Sequence, residues 1–160
     1  MKKLLLAFSF LSCVALIVGC GPKRPEGLPP LVSCVLTFQY EGGSPVADAM
    51  VSLVPENADL RQWSIAGTTN ASGVATIFTH GDFAGAPAGT FRVVVRKTDV
   101  RPTGATDAEG YPVVEIHSMI AAEFSSPSRT PLSLEVGNSP VRETFTVGSA
   151  TTVRLEFEAL

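Results

Sequence analysis

Apolar and polar residues alternate with a period of two along most of the chain from residue 31 onward, the mark of strands with one buried and one wet face. LVSCVLTFQY (31–40) puts Val32, Cys34, Leu36, Phe38 and Tyr40 on one side, and VADAMVSLVP (46–55) groups Ala49, Val51 and Leu53. QWSIAGT (62–68) and VATIF (74–78) are the next candidates. TFRVVVRK (90–97) sends Phe91, Val93 and Val95 one way and Arg92, Val94 and Arg96 the other. LSLEV (132–136), RETFTV (142–147) and TTVRLEFEA (151–159) complete the set. Turn residues separate these runs, as in EGGSP (41–45) and TNASG (69–73), and only SMIAAEF (118–124) suggests a helical turn. The pattern predicts an all-β fold, a single antiparallel β-sandwich of about seven to eight strands. Residues 98–112 read as a long polar connection punctuated by Gly and Pro, a length that marks functional or mobile loops.

The first thirty residues follow a different pattern. Lys2 and Lys3 precede an apolar run, Leu4 to Val18, broken only by Ser9 and Ser12. That is the length of a secretory signal core and shorter than the roughly 20 residues a membrane-spanning helix needs. The run stops at Gly19-Cys20, and GPKRPEGLPP (21–30) follows with four prolines and two glycines, a composition that favours a semi-extended spacer.

Composition narrows the partners. Residues 1–19 carry two of the twelve Lys and Arg and none of the fifteen acids, so the chain from Cys20 onward has 10 basic against 15 acidic residues, net −5. This argues against nucleic acid and anionic lipid headgroups, which need a basic face. The mean hydropathy of +0.27 is raised by the apolar start. Three cysteines occur. If Cys13 leaves with the signal and Cys20 is modified, Cys34 remains alone and no internal disulfide forms; its apolar setting predicts a buried, inert thiol.

Ile17-Val18-Gly19-Cys20 resembles the lipobox of bacterial lipoproteins. The resemblance implies cleavage before Cys20, diacylglycerol on its thiol and usually an acylated new amino group. Each buried CH₂ contributes about 0.8 kcal/mol, so two or three acyl chains anchor stably where one is marginal. Gly21 stands where an aspartate often marks inner-membrane retention, which points to an outer membrane with the domain in the periplasm or at the surface. Three further pieces, GGSPVADAMVSLVP (42–55), AGTTNASGVATI (66–77) and GAPAGTFRVVV (85–95), are similar in order and spacing to the carboxypeptidase regulatory-like domains. That family implies a transthyretin-like β-sandwich over about residues 31–157, and AAEFSSPSRTPLSLEV (121–136) resembles the matching tail of small bacterial lipoproteins that carry it. Asn70 replaces the usual acid of one turn and keeps its oxygen acceptor. The organisation expected is a signal peptide at 1–19, a lipidated cysteine and tether at 20–30, and the sandwich domain at 31–160.

Candidate chemistry is thin. His80 beside Asp82, and His117 after the strand-like VVEI, lack the short spacing of a metal site. No G-x-S-x-G elbow and no phosphate-binding glycine pattern occurs. The enzymes of the transthyretin-like fold, hydroxyisourate hydrolases, carry a Tyr-Arg-Gly-Ser motif that is absent here, so no catalytic residue is carried over. Arg92, Arg96 and Lys97 read as a solvated sheet face, and Trp63 as core or as an aromatic platform. The expectation is a non-catalytic interaction or structural module without a cofactor. It is held to the membrane by lipid on Cys20 and faces an envelope protein or a glycan. Two alternatives are a carbohydrate-binding accessory module using Trp63, Tyr111 and the 98–112 segment, and a small hydrolase or metal-binding protein using His80 and Asp82.

The Cys20 reading predicts a mature mass that begins at Cys20 and carries acyl chains when the gene is expressed in a lipoprotein-processing bacterium. Cys20→Ser should lose those chains and leave the membrane fraction, whereas an unlipidated wild-type mass would refute the anchor.

Overall fold

The computed structural model describes residues 23–150; Cys20, the apolar run before it and the strand expected at 151–159 lie outside them. The strands are β1 (Leu31–Val32), β2 (Cys34–Tyr40), β3 (Met50–Pro55), β4 (Ile65–Thr68), β5 (Val74–Thr76), β6 (Phe78–Thr79), β7 (Phe83–Ala84), β8 (Ala86–Pro87), β9 (Gly89–Arg96), β10 (Thr98–Thr106), β11 (Pro112–Ser118), β12 (Ser133–Val136) and β13 (Val141–Val147). They form a six-stranded sheet in the order β12-β9-β3-β4-β6-β7, a three-stranded sheet β13-β2-β5, and two pairs, β1-β8 and β10-β11. The fold is an all-β, sandwich-like packing of sheets.

One buried cluster joins the two larger sheets, and alternation dictates its membership. Cys34, Leu36 and Phe38 of β2 meet Val51 and Leu53 of β3 and Phe91, Val93 and Val95 of β9 in it, and Phe38 stacks on Phe145 of β13 with ring centroids 5.5 Å apart. Val94, expected on the wet face, is buried as well. Burying these side chains is the main stabilising term, about 1.5–3 kcal/mol for each large one.

The observed pairing departs from the expected antiparallel sandwich in one place. β13 runs parallel to β2, from Val141 opposite Cys34 to Val147 opposite Tyr40. A parallel neighbour cannot be reached by a hairpin, and here the chain crosses to β2 from β12, an edge strand of the other sheet. The run VATIF is likewise not one strand. β5 pairs with β2 and β6 with β4, so the chain changes sheets at Ile77, which donates to the Cys34 carbonyl and accepts from Gly85 N–H. The run 31–40 is split at Ser33, with β1 pairing to β8 instead. The 98–112 connection is largely strand, β10 and the start of β11, and Ala122–Ser125 is a 3-10 turn. In the expected tether, Leu28 is buried and Arg24 donates to the carbonyls of Leu28 and Pro29, so residues 24–30 close on themselves.

Polar groups pin the corners. Thr69, Thr79 and Thr130 are buried, and each hydroxyl is bonded to backbone: Thr69 accepts from Ala49 N–H, Thr79 donates to Gly85 and Thr130 to Val93. No buried side-chain polar atom lacks a partner among the described residues. In the turn at 70–74 the Asn70 side-chain oxygen accepts from Ser72 and Val74 N–H at 2.9 and 3.0 Å. Gly73 there has φ +75° and its carbonyl accepts from Phe38 N–H.

A Cβ on Gly73 would strike the Phe38 carbonyl oxygen, whereas one on Gly43, also at positive φ, meets open space. Gly43→Ala is therefore expected to cost only backbone strain, about 1–2 kcal/mol. Gly73→Ala should cost clearly more and lower the denaturation midpoint further; equal midpoints would refute the close approach.

Candidate functional site

Sheet register builds a two-faced arm from β10 and β11. Asp99 stands opposite His117 and Arg101 opposite Glu115, so these four side chains share one face. Val100 stands opposite Ile116 and Pro102 opposite Val114, and these share the other. On the charged face Arg101 Nε meets Asp99 Oδ2 at 2.7 Å, and His117 Nε2 meets Glu115 Oε2 at 3.1 Å. Each pair lies along one strand, and each also faces an opposite charge or a histidine across the ladder.

Both faces of the arm meet solvent: on the charged face the Arg101 side chain is 61% and the Asp99 side chain 43% exposed. Arg101 and His117 line a cavity of about 350 Å³ at the arm's root, together with Tyr40, Ser118, Met119, Ser149 and Ala150. The His117 side chain is only 15% exposed. The apolar face is bare: Val100 is 56%, Val114 45% and Ile116 38% exposed. Every residue from Val100 to Val114 is exposed. Tyr111, at 68%, marks the tip, where the Asp107 carboxylate accepts from Glu109 and Tyr111 N–H.

The other candidates fall elsewhere. Trp63 is half-buried ahead of β4, packs against the core and meets His80 edge-on at 6.0 Å. It belongs to the six-stranded sheet's end of the chain and Tyr111 to the hairpin tip, so no common platform joins them. His80 has φ +56° in the exposed turn with Gly81 and Asp82. Among the described residues no group of three or more His, Cys, Asp or Glu is placed to hold a metal. Arg92 pairs with Glu56 at 3.1 Å, and Arg96 donates to the Ser125 carbonyl, so both tie down neighbouring segments. A second, shallower groove of about 570 Å³ lies along β4 and β5 beside Met50 and Phe78.

Arg101 escaped the sequence reading because residues 98–112 looked like a connection, and Glu115 because its strand-like run VVEI then had no partner strand. The alternating TDVR and VVEIH runs carried the signal, masked by Pro102, Gly104 and Gly110. Among the described residues no helix is long and apolar enough to cross a membrane.

No family model matches the chain, and no curated protein does. A solved 9R-lipoxygenase from Cyanothece is similar over 78% of this chain and 18% of its own length, at 14% identity and a TM-score of 0.34, a likeness too slight to carry an argument.

The one thiol described, Cys34, is 1% exposed. Burial pushes it up to about 11, and the charge of Glu143 adds to the rise. Folding thus favours the protonated thiol. Its contribution to stability is complete below the ordinary value of 9.0 and is lost as pH rises towards 11. Between pH 9 and 11 the melting midpoint should fall more steeply in the wild type than in Cys34→Ala, and parallel curves would refute the burial argument.

Proposed function

We propose that this chain is an exported lipoprotein, tethered by acyl chains on Cys20, whose sandwich carries the β10–β11 arm as a non-catalytic docking element. The observation that carries the reading is the arm's uncovered apolar face. Arg101 and His117 line the cavity at the arm's root, while Val100, Val114 and Ile116 stand in water. A strand pair with that apolar face uncovered leaves stabilisation unused until something covers it, and contiguous exposed apolar surface marks interaction sites. The lipobox-like Ile17-Val18-Gly19-Cys20 supports the tether, and Gly21 supports an outer-membrane destination. The ordered pieces at 42–55, 66–77 and 85–95 support a transthyretin-like domain of the carboxypeptidase regulatory-like kind. An envelope protein is the partner that an apolar strand face fits best. A glycan would rely on stacking, and Tyr111 is the exposed aromatic that the arm offers it.

The test places a photo-crosslinking residue at position 111 in cells and compares the wild-type arm with the double variant Val114→Glu, Ile116→Glu. Both sites are exposed, so each change should move stability by no more than about 0.5 kcal/mol. The crosslinked product should vanish in the double variant while the protein stays folded and membrane-bound. An unchanged product would refute docking through this face.

A further inference from the structure

Strands that run the length of the body fix where the chain enters it and where the arm leaves. β1 pairs with β8, Leu31 opposite Pro87 and Val32 opposite Ala86. β2 begins at Cys34, just past β1, and ends at Tyr40, which lines the cavity at the arm's root. β9 begins at Gly89, just past β8, and ends at Arg96, from which Lys97 leads into β10. β13 runs parallel to β2, from Val141 opposite Cys34 to Val147 opposite Tyr40, and the chain continues to Ser149 and Ala150 at the same cavity. At about 3.3 Å per residue, β2 and β9 hold the β1–β8 end about 20 Å from the arm's root.

The segment that follows Cys20 enters at the β1–β8 end, and with little slack. A chain of any conformation spans at most about 3.6 Å per residue, so Lys23 lies within about 11 Å of Cys20. From Arg24 onward the segment is closed. Arg24 Nη2 donates to the Leu28 and Pro29 carbonyls, Leu28 is 8% exposed, and β1 follows at Leu31. Residues 24–30 are thus a compact collar and not a free spacer.

Charge is distributed in the same sense. The collar carries Lys23 and Arg24 against Glu26. The arm, residues 98–118, holds four acids, Asp99, Asp107, Glu109 and Glu115, against one base, Arg101, net −3. Its tip, residues 103–112, has Asp107 and Glu109 and no base. Anionic headgroups attract the collar's pair and repel the tip.

We propose that the sandwich stands on the bilayer by its β1–β8 end, with the collar and Ala88 at the headgroups, and holds the arm at the opposite end, turned away from the lipid. The inference rests on the acylation of Cys20 and is independent of what the arm binds. It puts the arm's root about 20 Å above the headgroup layer, so a partner of the arm is met in the aqueous space and not within the anchoring membrane.

The test places a photo-crosslinking residue at Ala88 or at Glu109, both exposed, in the full chain. After irradiation of isolated membranes, intact mass reads lipid adducts and acyl chains on the same protein. Adducts are expected at position 88 and not at 109. Adducts at 109, or at neither position, on a protein that carries its acyl chains would overturn the orientation and leave the anchor standing. A protein without acyl chains would overturn the anchor and this inference with it. A flexible Gly/Ser insertion after Gly21 should abolish the adducts at 88 while the acyl mass remains. Adducts undiminished by the insertion would overturn the claim that short reach holds this end down.

Discussion

β2 is the strand on which the rest of the structure depends. It is the central strand of its sheet, with β13 parallel on one side and β5 antiparallel on the other. Its inward face, Cys34, Leu36 and Phe38, is buried to within 1%. Side chains alternate with a period of two, so a slip of one residue would turn Val35 and Thr37 inward and expose Phe38. The slip is blocked from both ends. Phe38 N–H reaches the Gly73 carbonyl and its own carbonyl takes Val46 N–H, while Ser33 holds Val141 through its carbonyl. Two distant turns and β13 are thereby referred to one register.

That anchoring lets the rest of the chain leave the sandwich. β9 is paired on both edges, by β3 and β12, and passes through Lys97 into β10. The arm's root is clamped by Met119 to Lys97 on one side and to Ala150 on the other. Beyond the root the arm's own ladder and short polar contacts hold it among the described residues. Local stability should fall towards the Tyr111 tip, as expected of an element that meets a partner.

The charged face of the arm has a physical use besides recognition. Arg101 pairs with Asp99 and His117 with Glu115, so the two residues of this face that line the root cavity, Arg101 and His117, meet it with partners already supplied. Exposed pairs of this kind are worth about 0–1 kcal/mol each. Their value is local: they hold the side chains of this face in place along the two strands. Structural features thus account for the arginines and the half-buried tryptophan of the main sandwich, and leave the arm as the element whose surface they do not explain.

Local alternation was enough to place most strand cores. Leu36, Phe38, Val51, Phe91, Val93, Val95 and Leu134 are buried where the period of two puts them, because a half-buried strand has no other way to hide its apolar side chains. The Asn70–Gly73 turn was equally legible, since an oxygen acceptor and a residue tolerating positive φ are local needs. Tertiary structure decided what alternation cannot encode. It set β13 parallel to β2, made VATIF change sheets at Ile77, and buried Val94 on the nominally wet face. It also made a ladder of a stretch that Gly and Pro disguised as a loop. Pairing partners are chosen by long-range packing, and a strand's own residues state only which face is apolar. For the same reason the sequence shows that β11 has an apolar side, and only the assembled sheets show that this side faces water.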